Sequence, residues 1–542
     1  MYHALTPYVT HGTVTNHCRN NLCRVKAKFG AGAGTGDGSL LQQLGNAFAL
    51  VVAPESLMML VLGVLIGFVV GILPGLGGAV TIALLIPVTF GMHPVPAFAL
   101  LLGMYVVCAI AGDFTSVLFG IPGEASAAAM VLDGFPLNKK GQAGRALGAA
   151  LASSAIGAVF GVTVLTLLIP VMRPLVLKIG PPELFAIGLL GLAFIASLSG
   201  KNMFKGTIMA SLGVLLALIG LDPNTGIPRY TFGSLELWDG VGIVPVVVGL
   251  LGGAELLQIM LDKDNQTRHL GRPELGGIRM GVLDTLRHWF LVLRASAIGS
   301  AVGMVPGLGG SMAQFIAYGH AKQTSKRPEQ FGRGSIEGVI AAGATSTAKD
   351  GGALVPTIAF GVPSSVSMAV LLGAFVILGL DPGPSMLTSD LDVTLSMAWI
   401  VVLSTLTAVA LGYVLLRPLT HLTRVNGRVL VPFLILVLTL GAYSESNSFS
   451  NVLVMLVFLA IGVITVRWDW PRVPLLLGLV LGEVLERYFT LSHSLYDWTW
   501  LSKPSVIVII AVALLLVVSQ VMRALRKPKT PAQTKVEAGI PA

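Results

Sequence analysis

The sequence predicts an all-α polytopic membrane protein built from two inverted-topology repeats, with broken or re-entrant helices and about 11–12 transmembrane segments. Three observations lead there. Of the 542 residues, 54% are hydrophobic and only 11% charged, a balance that a water-soluble fold of this size does not need. Uncharged stretches of about 20 residues, the length that crosses hydrocarbon at a rise of about 1.5 Å each, recur at 147–171, 393–416 and 505–522. A Gly-rich motif, PGLGG, occurs twice, and the Lys and Arg residues around the two copies are exchanged. A soluble helical bundle would need polar outer faces on its helices, and few segments have one.

Taken in order, residues 1–40 form a polar N-terminal extension without the apolar core of a signal peptide. His17, Cys18 and Cys23 lie in it, but three ligand-type residues in a polar tail do not define a metal site, and no metal is expected. With Cys108 as the third cysteine, there is no disulfide framework. The first transmembrane repeat occupies 41–262, with spans near 146–171, 181–198, 203–220 and 243–261. A basic cytoplasmic connection, 263–290, leads to the second repeat, 291–522, with spans near 393–416, 429–443, 450–466, 473–486 and 505–522. Residues 523–542 begin with RALRKPK and read as a disordered cytoplasmic tail. The net charge of +9 is scattered over short loops, which is a topology signal and not a nucleic-acid groove.

The repeat rests on two pairs of echoes. Residues 71–79 (GILPGLGGA) match 303–311 (GMVPGLGGS), and 120–124 (GIPGE) match 361–365 (GVPSS) in the same order. In the first half the loop after PGLGG, 90–96, has no Lys or Arg, whereas the loop after GIPGE holds Lys139, Lys140 and Arg145. In the second half the pattern is reversed. Lys322, Lys326, Arg327 and Arg333 follow PGLGG, and the loop 380–392 after GVPSS carries only acidic charges. Cytoplasmic loops retain Lys and Arg, so the exchange implies opposite orientations of the two halves. The walk is consistent if each PGLGG segment dips into the membrane and returns to the side it entered. Its exceptions are Arg173 and Lys178, placed outside, and an N-terminus placed outside despite its basic residues. A complete crossing at 57–92 is the alternative.

Irregular backbone at membrane depth persists only where protein or a water-filled cavity satisfies its polar groups. Both PGLGG motifs are such breaks: Pro74 and Pro306 cannot donate, and the glycines behind them permit close approach. A helix starting near Ala79 or Ser311 would turn free N–H groups and a positive dipole end toward a carboxylate. The candidate substrate-binding residues are therefore Pro74, Gly75, Gly77, Gly78, Pro306, Gly307, Gly309, Gly310, Ser311 and Lys349. Small residues also pack membrane helices, which is the plainer reading of one copy taken alone. Asp113, Thr115, Ser116, Ser364 and Ser365 are candidates for ion or substrate contact, although hydroxyls can equally bond their own helix backbone. Glu124, Glu337 and Asp350 complete the charges near the breaks. Lys349 and Asp350 are adjacent, so on a helix they point about 100° apart and need not pair. Lys349 would contact a substrate carboxylate or fill a cation site as a tethered charge; alternatively both residues snorkel at the interface.

No catalytic residue is identified, since the chain has no Walker A sequence, no HExxH and no GxSxG. Energy for uphill transport must come from an ion gradient or from partners.

At PGLGG the sequence also resembles the large permease subunit of the tripartite tricarboxylate transporter family. Further matching stretches are 71–87 (GILPGLGGAVTIALLIP), 132–147 (LDGFPLNKKGQAGRAL), 180–191 (GPPELFAIGLLG), 221–233 (LDPNTGIPRYTFG), 331–338 (FGRGSIEG), 351–356 (GGALVP) and 379–384 (GLDPGP). The resemblance implies a multi-pass permease of the bacterial inner membrane that works with a smaller membrane subunit and a periplasmic substrate-binding protein. It implies import of a tricarboxylate, or a related di- or monocarboxylate, by symport with sodium or protons and without an organic cofactor. Departures fall at 341–350 (AAGATSTAKD), where the family has an acidic and Asn-rich run, near Asp113, and at Pro363–Ser364. The alternatives are a stand-alone secondary transporter for another organic anion and, from another class, a channel or scaffold. Paired midplane breaks favour a transporter.

Overall fold

The computed structural model describes residues 40–72, 77–120, 122–123, 127–176, 179–197, 203–222, 226–238, 240–254, 256–257, 276–305, 309–422, 432, 435–436, 438–440, 442–443 and 448–525. The polar tails, most of the expected span at 429–443, and Pro74, Gly75, Glu124, Pro306 and Gly307 lie outside them.

The described chain is almost wholly helical. The first half holds α1 (Leu40–Val52), α2 (Pro54–Gly71), α3 (Gly78–Leu85), α4 (Pro94–Phe119), α5 (Ala128–Lys139), α6 (Ala143–Val176), α7 (Pro181–Ser197), α8 (Met203–Ala217) and α9 (Ile243–Val247). A tight turn of helix, Ile86–Thr89, continues α3, and a widened turn, Val248–Gly253, continues α9. A two-residue antiparallel hairpin, β1 (Gly220–Leu221) with β2 (Pro228–Arg229), sits between α8 and α9. The second half holds α10 (Ile278–Arg287), α11 (Trp289–Gly303), α12 (Gly309–Thr324), α13 (Ile336–Phe360), α14 (Val366–Ile377), α15 (Leu391–Leu422), α16 (Phe449–Arg467), α17 (Val473–Tyr496) and α18 (Pro504–Leu525).

Among the described residues five helices are long and apolar enough to cross a membrane, and α17 with α18, bent by 76° at their junction, count as a sixth. The other apolar helices run only 10–17 residues, the length of half-spans and re-entrant arms. Burial separates centre from periphery. The apolar window of α4 is buried throughout, while that of α16 is only 28% buried and turns the rest of its surface outward. In α13 every residue from Gly338 to Ala359 is buried.

Glycine spacing sets the direction of the packing. Gly63, Gly67 and Gly71 of α2 lie against Leu100, Met104 and Cys108 of α4, so the two helices advance together. A Cβ on Gly71 would fall 2.5 Å from the Cys108 carbonyl oxygen, closer than any side chain tolerates. Because α2 and α4 are parallel neighbours, the chain between them must return to the side where α2 began, and α3 is that return. A single complete crossing at 57–92 is thereby excluded: it would leave α2 and α4 antiparallel. The second half repeats the device. Gly299 and Gly303 of α11 lie against Thr345 and Lys349 of α13, and α12 is the return arm.

The two central helices run oppositely. Asn138 of α5 donates to the Leu118 carbonyl near the end of α4 (2.8 Å), and Asp133 of α5 accepts from the amides just ahead of α13. Thus α4 ends on the face where α13 begins. That face gathers both basic loops: Lys140 Nζ donates to the Arg333 carbonyl at 2.7 Å, and Arg145 pairs with Asp284 at 2.6 Å.

Candidate functional site

Each central helix stops in the same way. Gly120 ends α4 with φ 69° and ψ 19°, and Gly361 ends α13 with φ 65° and ψ 19°. This left-handed conformation is one that glycine adopts without a Cβ penalty, and in both cases the next-but-one residue is a proline. The chain then folds back. Gly123 packs against Gly112 and the Gly71 carbonyl, so the second break of the first half lies on the end of α2, beside its first break.

The residues that stand 12 positions before these glycines are Cys108 and Lys349. Cys108 receives the last turn of α2 and lies 4.0 Å from Thr81 Oγ1 in the first turn of α3. Lys349 receives the last turn of α11, just ahead of the second PGLGG. The helices that carry them meet, because Tyr105 of α4 donates its hydroxyl to Asp350 Oδ1 of α13 at 2.9 Å. Lys349 Nζ lies 3.1 Å from the same oxygen, with side-chain exposures of 3% and 2% for the pair. Lys349 stands 13 residues beyond Ile336, about 20 Å along α13 and near the middle of that helix.

This corrects two expectations. Lys349 and Asp350 do pair, since the four-carbon stem of the lysine spans the roughly 100° between adjacent positions. Nor do they snorkel: both side chains are sealed inside the helix packing. Glu337, in contrast, sits in the first turn of α13 on the basic face, 3.7 Å from His288.

The helix starts differ by one or two residues from expectation. Gly77 caps α3, whose first residue is Gly78, and Gly309 opens α12, followed by Gly310 and Ser311. First-turn amides have no acceptor within their own helix, so the beginning of α3, which Thr81 holds against Cys108 of α4, and that of α12 each carry free donors. The candidate hydroxyls have backbone partners. Thr115 and Ser116 both donate to the Gly112 carbonyl at 2.9 Å, and Ser116 also reaches the Ala127 carbonyl at 3.2 Å. Ser364 lies 3.5 Å from the Ala353 carbonyl, while Ser365 caps α14 by accepting from the Met368 amide. Asp113 is buried in α4, five residues beyond Cys108.

Sequence reasoning missed Asp133. Its side chain is fully buried; Oδ1 accepts from the amides of Gly332, Gly334 and Ser335, each at 2.8 Å, and Oδ2 accepts from Tyr318 at 2.8 Å. The carboxylate caps α13 from the other half of the chain, where Ser335 makes no side-chain cap of its own. The only sequence signal was the presence of both phrases, LDGFPLNKKG and FGRGSIEG, with nothing to say that they touch. Above this latch a cavity of about 1170 Å³ opens on the basic face, lined by Lys140, Arg145, Arg287, Arg294, Lys326 and Arg333 among others.

Comparison with known proteins points the same way. The family model described as the tripartite tricarboxylate transporter TctA family matches residues 57–477. An "uncharacterized 52.8 kDa protein in TAR-I ttuC' 3'region" of Agrobacterium vitis is 33% identical over 453 residues, covering 83% of this chain and 89% of that protein. A second Agrobacterium vitis protein, from the "TAR-II ttuC' 3'region", is 32% identical over 190 residues, 35% of this chain and 78% of the relative. No solved structure matches.

Proposed function

Because this chain belongs to the tripartite tricarboxylate transporter TctA family, a family of membrane transporters, we propose that it is the large permease subunit of a three-component carboxylate importer. A periplasmic binding protein delivers a tricarboxylate, or a related di- or monocarboxylate, and a smaller membrane subunit completes the assembly in the bacterial inner membrane. Uptake is a symport driven by a sodium or proton gradient. Residues 41–262 and 291–522 act as inverted repeats, and alternating access is a rocking of one against the other about a site held near mid-depth.

The observation that supports this reading is the contact of two oppositely running helices, each with a parallel neighbour. Parallel pairs α2/α4 and α11/α13 advance from opposite faces and meet at Tyr105 and Asp350. In this reading the amides at the starts of α3 and α12, at Gly77, Gly78, Gly309 and Gly310, bind the carboxylate oxygens of the substrate. Ser311 follows in the first turn of α12, and Asp113, Thr115, Ser116, Ser364 and Ser365 are buried or half-buried candidates for ion or substrate contact in and beyond α4 and α13; Pro74, Gly75, Pro306 and Gly307, outside the described residues, remain sequence candidates for the same role. The basic cavity is the exit, where fixed cations draw an anion out of the low-dielectric interior.

The test is uptake. The chain is reconstituted with its small subunit and binding protein, and radiolabelled citrate, succinate, malate and tartrate are offered under inward sodium and proton gradients. Accumulation of at least one of them is expected. No uptake of any, with both partners present and the binding protein loaded, would sink the reading.

A further inference from the structure

We infer that the oxygens of Asp350 and Tyr105 form a monovalent-cation site that this chain fills with its own Lys349 ammonium, so that sodium does not bind at the crossing. The inference deepens the reading above by removing one of its two coupling ions.

A carboxylate taken out of water into the protein interior is costly unless a positive charge compensates it. Asp350 sits there with 2% of its side chain exposed. Its Oδ1 collects two donors, the Tyr105 hydroxyl at 2.9 Å and the Lys349 ammonium at 3.1 Å, and the ammonium also lies 6.0 Å from the centre of the Tyr105 ring. Carboxylate oxygen, phenol oxygen and aromatic face are a set that attracts any small cation. Here the charge arrives on a tether. Helix direction alone does not bring it there, since adjacent positions diverge and the lysine curls back across its own helix to reach Asp350. Position adds a second argument. The Lys349 backbone abuts Gly303, three residues before the second PGLGG proline, and its counterpart in α4, Cys108, faces the first turn of α3. The pair therefore lies where the end of α11 meets α13 and where α13 meets α4. An ammonium committed to Asp350 neutralises that place permanently, whatever the sodium concentration.

The test is equilibrium binding of ²²Na⁺ to the purified full chain in nanodiscs. The expected result is that Lys349→Ala gains one saturable sodium site per chain over the wild type, and that Lys349→Ala with Asp350→Ala loses it again. No gain in a Lys349→Ala protein that elutes as a single monodisperse peak would overturn the inference. A sodium site in the wild type that disappears in Asp350→Asn would overturn it too. A second measurement needs no variant: uptake by the reconstituted wild-type complex is expected to be unchanged, within twofold, when sodium is replaced by N-methylglucamine under a proton gradient. Uptake lost on that replacement sinks the inference and leaves the transport function standing. Uptake absent with every cation would instead remove the transport reading, and the binding result would then decide the site by itself.

Discussion

Replacing Asp133 by Ala removes a carboxylate that joins the two halves. Four donors lose their acceptor at once: the amides of Gly332, Gly334 and Ser335 and the hydroxyl of Tyr318, each at 2.8 Å. An unsatisfied buried donor costs about 1–3 kcal/mol, but Gly332 and Gly334 are partly open to water and can recover a partner there. The net loss works out at about 3–5 kcal/mol, with the carboxylate's interaction with the start of α13 included. For a chain of this size that lowers the melting temperature by on the order of 5 °C. The assay is thermal unfolding of the detergent-solubilised protein, followed by a thiol-reactive dye at the buried Cys108. Asp133→Asn keeps a carbonyl oxygen for the three amides but loses the charge, so about half the effect is expected; Tyr318→Phe removes a single donor and should lose less still. An Asp133→Ala protein that melts within about 1 °C of the wild type would refute the reasoning, as would a Tyr318→Phe protein that falls as far as Asp133→Ala.

Gly71→Val and Gly303→Val should each force a parallel pair apart, because a Cβ at either position runs into the facing carbonyl of Cys108 or Lys349. Both should lower the melting temperature and abolish uptake, whereas Gly319→Ala, with nothing within 4 Å, should leave both unchanged; equal behaviour of the three would contradict the close approach. Cysteines placed at Gly91 and Ser325, in a chain with Cys18, Cys23 and Cys108 changed to Ser, should react with an impermeant maleimide from opposite sides of the membrane. Labelling from the same side would contradict the opposed orientation of α4 and α13.

Composition, apolar length and the distribution of Lys and Arg were enough to read a polytopic helical membrane protein, because the bilayer imposes helix length and charge placement one segment at a time. The repeated PGLGG, GIPG and GVPS breaks were legible for the same reason: a proline followed by glycines interrupts a helix whatever surrounds it. The re-entrant reading followed from charge, as a choice between two topologies, and the parallel packing of Gly63, Gly67 and Gly71 on α4 fits it.

What the sequence could not contain is which segments touch. Tyr105 is a lone polar residue in an apolar run, and 245 positions separate it from Asp350. Asp133 and Ser335 stand 202 positions apart. Nothing local distinguishes either residue from its neighbours. Helical geometry likewise placed Lys349 and Asp350 on diverging faces, and it was correct about their Cβ directions. Only burial between α4, α11 and α13 forces the flexible lysine stem back onto the carboxylate, because in a packed interior an unpaired charge has no water to turn to.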